Sequence, residues 1–342
     1  MTEDTRAPRL TRRTLLAAAA AVPMITLLTR RGAAAEFTYK YATGQDPTHP
    51  VNIRAAEAID RIREASNGRL EMKLFPANQL GSDTDLLSQV RNGGVEFFNL
   101  ATSILNTLVP AAGLVNIGFA FTDYDQVWNA CDGALGQYIA GQIAKVGLIS
   151  VTPLWNNGFR QITSSTRDIV TPQDLKGFKM RVPPAPILTS LFQAIGASPT
   201  PINFNELYSS LQTKIVEGQE NPLAIIATTK LYEVQKSISM TGHVWDGYQI
   251  LGNRRAWEKL PQDLKDIVQR ELGTSGQQER ADVVKLSDSL RQDLTTKGMV
   301  FHDVDRAQFR DALKATSYYK DWKAKFGDEA WKVLEATTGS LT

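Results

Sequence analysis

The chain has 342 residues, of which 42% are hydrophobic and 22% are charged, an ordinary composition for a globular protein. This length is enough for two lobes that each have their own core. The first thirty-five residues hold six arginines and two acids, so the rest carries 32 basic and 34 acidic residues, a net charge of −2. No basic stripe remains, which argues against nucleic-acid binding. Cys131 is the only cysteine, which excludes an internal disulfide and predicts a buried thiol.

The first thirty-five residues are typical of an export signal. Arg12 and Arg13 precede an apolar run, Leu15–Leu28, which is shorter than the roughly twenty residues that a membrane span needs. Three alanines ending at Ala35 suit cleavage before Glu36. The arginine pair indicates twin-arginine export; the alternative is a general secretory signal with an incidental arginine pair. We therefore predict a periplasmic protein that is not embedded in the membrane.

Alternating apolar residues predict strands at 37–41, 70–74 and 95–101. Helical spacing predicts helices between them, at 55–65, ended by Gly68, and at 83–91. A strand–helix–strand–helix–strand order is typical of a parallel sheet with helices on its faces.

The middle of the chain repeats this order. Strands are predicted at 148–155, 161–165 and 179–182, a helical turn at Pro172, and helices at 187–195 and from Asn205. The last helix is expected to place Leu207, Leu211 and Ile215 on one face.

A long helical pattern follows at 261–297, interrupted around Gly273–Gly276. It would span roughly 50 Å, enough to run along two lobes. The sequence thus predicts two α/β lobes that exchange segments.

Motifs for common enzyme chemistry are absent from the sequence. There is no phosphate-binding Walker loop, G-x-G-x-x-G turn, G-x-S-x-G elbow or H-E-x-x-H. His49, His243 and His302 are far apart, so we expect no metal site and no cofactor. We expect a protein that is not an enzyme, although missing motifs leave a serine or carboxylate-pair site open.

Six segments, in this order and spacing, carry a resemblance to a known family. They are Phe75–Gly81 (FPANQLG), Gly158–Gln161 (GFRQ), Asp174–Pro183 (DLKGFKMRVP), Gly196–Pro201 (GASPTP), Glu206–Tyr208 (ELY) and Gly218–Pro222 (GQENP). Together they resemble the binding proteins of tripartite ATP-independent periplasmic (TRAP) transporters, the DctP-like family. Two positions depart from the family pattern: Asp85 stands where the family often has glutamate, and residues 214–218 read KIVEG.

The resemblance implies an α/β fold of the periplasmic binding protein type, with two lobes, a hinge and a long helix spanning both. We expect residues 1–35 to be the signal, 36–157 plus about 246–286 to form lobe I, and about 158–245 plus 287–342 to form lobe II. The implied function is capture of a small organic acid and its delivery to a TRAP membrane permease. The alternative is a binding component of another transporter class or of a sensor kinase.

The resemblance also implies that Arg181 makes a two-pronged salt bridge to the ligand carboxylate. A guanidinium group presents paired donors that match a carboxylate, whereas composition alone would favour a surface ion pair for this residue. Asn221 is expected as a second donor to the same carboxylate; alternatively it only shapes the turn before Pro222. Arg160 is expected as a second cation in the cleft.

Further candidates are implied around these residues. Glu220 and His243 resemble the family's polar network, and Phe204 is expected to stack on the ligand's carbon skeleton. A structural histidine and a core aromatic are the alternatives for the last two. Trp155 and Asn157 lie at the presumed crossing between lobes and either line the cleft or act as a hinge.

Trp245 and Tyr248 have the same two interpretations at the return crossing. Sugar acids, C4-dicarboxylates, oxo acids and aromatic carboxylates all present a carboxylate, so the sequence leaves the acid open. A monomer is the default expectation.

Overall fold

The computed structural model describes residue 2 and residues 34–341. Almost all of the predicted export signal lies outside these residues. From Ala35 onward the described chain forms one compact unit. No helix in the described part is long and apolar enough to cross a membrane.

Eleven strands in the described residues form two sheets. In chain order they are β1 (Phe37–Thr43), β2 (Leu70–Phe75), β3 (Phe97–Ala101), β4 (Leu148–Phe159), β5 (Gln161–Ser164), β6 (Lys179–Val182), β7 (Ser198–Pro201), β8 (Gly218–Asn221), β9 (Ser237–Ser239), β10 (Trp245–Asn253) and β11 (Val300–His302). The first sheet has the order β2-β1-β3-β10-β4 and the second has the order β11-β9-β5-β8-β6-β7. The chain therefore passes from the first sheet to the second, returns to the first with β10 and joins the second again with β11.

Helices cover the sheets. The α-helices are α1 (Pro50–Ala65), α2 (Asp83–Asn92), α3 (Thr102–Leu105), α4 (Tyr124–Cys131), α5 (Ala134–Lys145), α6 (Pro186–Ala194), α7 (Leu207–Gln212), α8 (Leu223–Thr228), α9 (Arg254–Lys259), α10 (Gln262–Thr296), α11 (Arg306–Lys314), α12 (Tyr318–Phe326) and α13 (Asp328–Thr338). Short 3-10 helices span Pro110–Asn116, Pro172–Leu175, Phe204–Glu206 and Leu231–Glu233.

The first sheet is mixed rather than purely parallel. Strand β1 pairs in parallel with β2 and β3, whereas β10 runs antiparallel to β3 and β4. The expectation of a parallel sheet thus holds for the first three strands only. The carboxyl ends of β1–β4 and the amino end of β10 consequently lie at one edge.

The second sheet has a similar edge. Strand β6 pairs in parallel with β7 and β8, and β5 runs antiparallel to β8. The carboxyl ends of β6 and β8 therefore meet the amino end of β5.

The long helix α10 runs without interruption for 35 residues, so the predicted break around Gly273–Gly276 is wrong. It contacts α1 and β4 as far along as Asp282, and it also contacts α8 and β11. The small residues serve close packing instead of ending the helix. A Cβ on Gly276 would lie 2.6 Å from Trp155 Nε1, and the buried Ser275 donates a hydrogen bond to Arg54 O at 2.9 Å.

Other expectations need smaller corrections. Helix α7 ends at Gln212, and Ile215 is 64% exposed, so its predicted place on the buried face is wrong. Helix α1 ends at Ala65, before Gly68. Cys131 is buried, as predicted. The exact lobe boundaries stay a prediction; β4 runs two residues beyond 157, and α13 packs against both α4 and α5.

We predict that Gly276→Ala destabilises the protein by about 1–3 kcal/mol, because the added methyl group overpacks the contact with Trp155. Gly141→Ala is the matched control: it lies in α5, is exposed and has no atom within 4 Å of an added Cβ, so we expect a small gain in stability. Urea denaturation of both variants measures the difference. Equal free energies of unfolding for the two variants would contradict the packing role of Gly276.

Candidate functional site

Three candidate residues meet at the edge of the second sheet because of strand direction. Arg181 on β6 pairs with Gln219 on β8, and Gln161 on β5 pairs with Asn221. Arg160 directly precedes Gln161, so it starts at the edge where β8 ends. This register brings Arg160, Arg181 and Asn221 together.

The edges of both sheets face a small cavity. Its lining residues are Gln45, Asp83, Ala101, Ser103, Ile104, Asn157, Arg160, Arg181, Pro183, Phe204, Asn221 and Ile225. Residues after β1, β2 and β3 thus lie across the cavity from residues of β6 and β8. In open α/β sheets, ligands bind beyond the carboxyl ends of the strands.

Arg181 is buried, with 1% of its surface exposed. Its Nε donates to Ile202 O at 2.8 Å, and its guanidinium carbon lies 6.0 Å from the centre of the Phe204 ring. Within residues 34–341, Nη1 and Nη2 make no hydrogen bond or salt bridge. Burial lowers the pKa of Arg181 to about 10, and the Arg160 charge acts in the same direction, while Glu220 and Asp83 oppose it. At neutral pH the site therefore holds a cation with two unused nitrogens.

Arg160 is instead bound on several sides by protein groups. Its Nη2 donates to Glu220 Oε1 at 2.8 Å and to Asn221 Oδ1 at 3.1 Å, and its Nη1 donates to Asp246 Oδ2 at 3.1 Å. Although burial opposes the charged form, the Glu220 carboxylate raises the pKa of Arg160. Arg160 lines the cavity, but its guanidinium group is already bound to Glu220, Asn221 and Asp246. This position favours a role in holding the edge of the second sheet in place.

Glu220 and His243 lie behind Arg160. His243 Nε2 is 3.0 Å from Glu220 Oε2, and its Nδ1 is 2.8 Å from Thr241 Oγ1. Burial alone would raise the pKa of Glu220, but Arg160 and His243 lower it to about 2. Burial lowers the pKa of His243, with Glu220 opposing. Neither residue is among the described cavity-lining residues, so both support Arg160 from behind.

Asp246, at the start of β10, connects the two sheets and was missed by the sequence analysis. Its carboxylate accepts hydrogen bonds from Thr102 Oγ1 at 2.8 Å and Ser103 Oγ at 2.7 Å, both on α3. It also accepts from Asn116 Nδ2 at 3.0 Å and from Arg160. The available sequence signal was an acid directly after Trp245 in an otherwise apolar segment.

Asn221, Phe204 and Asn157 line the cavity. Asn221 Nδ2 already donates to Gln219 Oε1 at 2.5 Å, and its Oδ1 accepts from Arg160. Phe204 is half-buried beside Arg181. These positions allow Phe204 to contact a ligand and make Asn221 a link between Arg160 and the cavity.

The three other aromatic candidates lie elsewhere among the described residues. Trp155 packs in the core between the first sheet and α10, next to Gly276. Trp245 donates from Nε1 to Asn156 Oδ1 at 3.0 Å, and Tyr248 pairs with Trp155 across β10 and β4. None of them lines the described cavity, and a hinge role for each stays a prediction.

Sequence reasoning also missed Gln45, Asp83 and Ser103, which line the first-sheet side. Each residue follows a strand of the parallel part of the first sheet. This position after a strand is the feature of the sequence that could have identified them as cavity-lining residues. The acid that lines the cavity is Asp83, whereas Asp85 is exposed and accepts from Ser82 N at 3.1 Å in a capping box. Burial raises the pKa of Asp83; the Asn78 hydrogen bond and the Arg181 charge oppose this.

We predict that Asp246→Asn lowers the free energy of unfolding by about 3–5 kcal/mol, because it breaks a buried ion pair and turns an amide NH2 toward donors. The control, Asp303→Asn, breaks the exposed pair with Arg291 and should change little. Urea denaturation distinguishes them, and equal losses would contradict the structural role of Asp246.

Comparison with known proteins finds relatives over most of the chain. The family model DctP, bacterial extracellular solute-binding protein family 7, matches residues 41–324. A solute-binding protein of Roseobacter denitrificans is 32% identical over 299 residues, covering 86% of this chain and 90% of that protein.

Two solved TRAP periplasmic solute-binding proteins are also similar. One, from a Polaromonas species and bound to D-erythronate, is 29% identical with a TM-score of 0.84, covering 89% of this chain and 98% of its own. Another, from Sulfurospirillum deleyianum with bound succinate, is 28% identical with a TM-score of 0.84, covering 89% and 99%.

The predicted resemblance and the predicted two-lobe α/β fold are therefore confirmed. Proteins of this family take part in transport and are not enzymes, in agreement with the sequence prediction. The chain belongs to bacterial extracellular solute-binding protein family 7, the DctP family of TRAP solute-binding proteins.

Proposed function

We propose that this protein captures a small organic acid in the periplasm through a two-pronged salt bridge from Arg181 and delivers it to a TRAP permease. The observation that carries the proposal is the buried guanidinium group of Arg181, which lines the cavity with both terminal nitrogens unused by the described residues 34–341. The succinate and D-erythronate bound by two relatives support an organic acid as the ligand class.

The energetics favour a carboxylate at this position. Each charge-assisted hydrogen bond contributes about 1.5–3 kcal/mol, so two bonds supply a large share of the roughly −8 kcal/mol of micromolar binding. Burial disfavours the Arg181 charge, as its lowered pKa indicates. A bound carboxylate offsets that cost.

The neighbouring residues have separate roles in this proposal. Phe204 provides an apolar surface beside Arg181 for the carbon skeleton. Arg160, held by Glu220 and Asp246, is a positioning residue that fixes the orientation of Asn221. Asn221 keeps one amide hydrogen for the ligand.

Delivery is proposed to depend on closure of the two lobes around the acid. Strands β4 and β10 pair in the first sheet and adjoin the segments that cross to the second. A ligand that contacts both sheets binds the closed form more tightly and shifts the population toward it. The partnership with an ion-driven permease rests on family membership, and the monomeric state stays a prediction.

We predict that Arg181→Met weakens binding of the cognate acid by about 100-fold or more, through loss of two charge-assisted hydrogen bonds. The ligand is first identified by mass spectrometry of the acid that co-purifies, and its affinity is then measured by calorimetry. Without ligand, we expect unchanged or higher thermal stability, because the variant removes a buried charge.

Arg291→Met is the matched control, because Arg291 is exposed and pairs with Asp303. It should leave the affinity unchanged. Full affinity in Arg181→Met would show that the carboxylate is bound elsewhere.

Export through the twin-arginine route is the remaining part of the proposal. It rests on Arg12 and Arg13 ahead of a short apolar run. We predict that replacing both by lysine leaves the protein in the cytoplasm, while replacing Arg30 and Arg31 by lysine does not. Fractionation and immunoblotting measure the distribution, and undiminished export of the first variant would favour a general secretory signal.

A further inference from the structure

We infer that the cavity selects a monocarboxylic acid that carries hydroxyl groups, and that Asp83 excludes dicarboxylates. The inference rests on the proposed function, since Arg181 holds the carboxylate. It goes further because it assigns a role in selectivity to the side of the cavity that the first sheet forms. Three residues that line this side each carry an oxygen that accepts no hydrogen bond within residues 34–341: Asp83 Oδ2, Gln45 Oε1 and Asn157 Oδ1.

Asp83 carries an acceptor that the protein leaves unused. The residue is 6% exposed, and its Oδ1 accepts from Asn78 Nδ2 at 2.8 Å. No donor among residues 34–341 reaches Oδ2, and no cation there lies within salt-bridge distance. Gly44 permits this position, because a Cβ at residue 44 would lie 2.6 Å from Asp83 Oδ1.

The two amide oxygens point to the same ligand chemistry. Gln45 Oε1 and Asn157 Oδ1 are buried and have no hydrogen-bond partner in the described chain. The Asn157 nitrogen is 3.5 Å from Asp246 Oδ2, which assigns the opposite orientation to its oxygen. Buried acceptors of this kind are nearly always paired in native proteins. Hydroxyl groups on the ligand would supply the missing donors.

The charges on this side exclude a second carboxylate. It would meet the like charge of Asp83, and like charges at close range oppose binding. The described cavity-lining cations are Arg160 and Arg181. Arg160 already pairs with Glu220 and Asp246, and Arg181 is engaged by the first carboxylate. A dicarboxylate therefore finds no partner for its second charge.

The distribution of the acceptors favours several hydroxyl groups over one ammonium group. Gln45 follows β1, Asp83 begins α2 and Asn157 lies on β4. A polyhydroxylated carbon chain places a donor at successive atoms and can serve acceptors on separate elements. A single ammonium group concentrates its donors at one point.

Calorimetry with ligand-free protein tests the inference with four-carbon acids of matched size: D-erythronate, succinate, butyrate and threonine, with galactonate as a longer hydroxy acid. We expect the better hydroxy acid to bind about 100-fold more tightly than succinate, and more tightly than butyrate and threonine. Succinate, butyrate or threonine binding as tightly as either hydroxy acid would overturn the inference.

Asp83→Asn then tests the residue. It should weaken hydroxy-acid binding about tenfold and strengthen succinate binding, so that the preference falls to about tenfold or less. Asp85→Asn makes the same charge change two positions away on an exposed side chain and should leave the preference intact. An unaltered preference in Asp83→Asn overturns the role of Asp83.

The two proposals fail differently. If Arg181→Met retains binding while the hydroxy-acid preference and the Asp83 effect persist, the carboxylate grip fails and the selectivity assignment stands. If Arg181→Met abolishes binding while succinate matches the hydroxy acids, the grip stands and the selectivity assignment fails.

Discussion

The buried ion pairs of Arg160 with Glu220 and Asp246 are the interaction on which the site depends. A charge removed from water is tolerated only when it is paired and hydrogen-bonded. Glu220 belongs to the second sheet and Asp246 to the first, so one guanidinium group fixes the edges of both. Thr102 and Ser103 extend the network to α3. Arg160 and Asn221 are therefore oriented by protein groups before any ligand arrives.

The pairing of Arg160 decides which acids are left for Arg181. Glu220 and Asp246 are both paired with Arg160, which leaves Arg181 buried and without a salt bridge to a carboxylate among the described residues. In the proposed binding mode, the ligand carboxylate supplies the negative charge that pairs with Arg181. Preorganisation of this kind reduces the free-energy cost of ordering side chains when a ligand binds. Asp83 across the cavity sets a limit on how much negative charge is accepted.

Much of this arrangement could be predicted from the sequence. Alternation located β1 and β2, and the family resemblance of the segments around Arg181 and Asn221 grouped these two residues in one site. Orientation on a helix could not be predicted in the same way. Asp83 and Asp85 both follow Ser82 in the same motif, and which one faces the cavity depends on where α2 begins.

Glycine and tertiary contacts account for other misses. Gly273 and Gly276 indicate a helix break by local propensity, yet packing against β4 and Trp155 overrides that preference. Ile215 fits a helical face by spacing, but the chain leaves the helix at Gln212 and exposes it. Predicting the role of Asp246 required knowledge of which strands are neighbours, because β10 returns to the first sheet from a distant part of the chain.

The uninterrupted helix α10 has a consequence for how the chain can change during evolution. It contacts α1 and β4 on one stretch and α8 and β11 on another. One inserted residue within it would turn everything beyond by about 100° and advance it by about 1.5 Å. The two stretches would then present mismatched faces to their partners. Substitutions that keep the packing leave the length of this helix unchanged. We therefore expect insertions and deletions in the loops at its two ends and not within it.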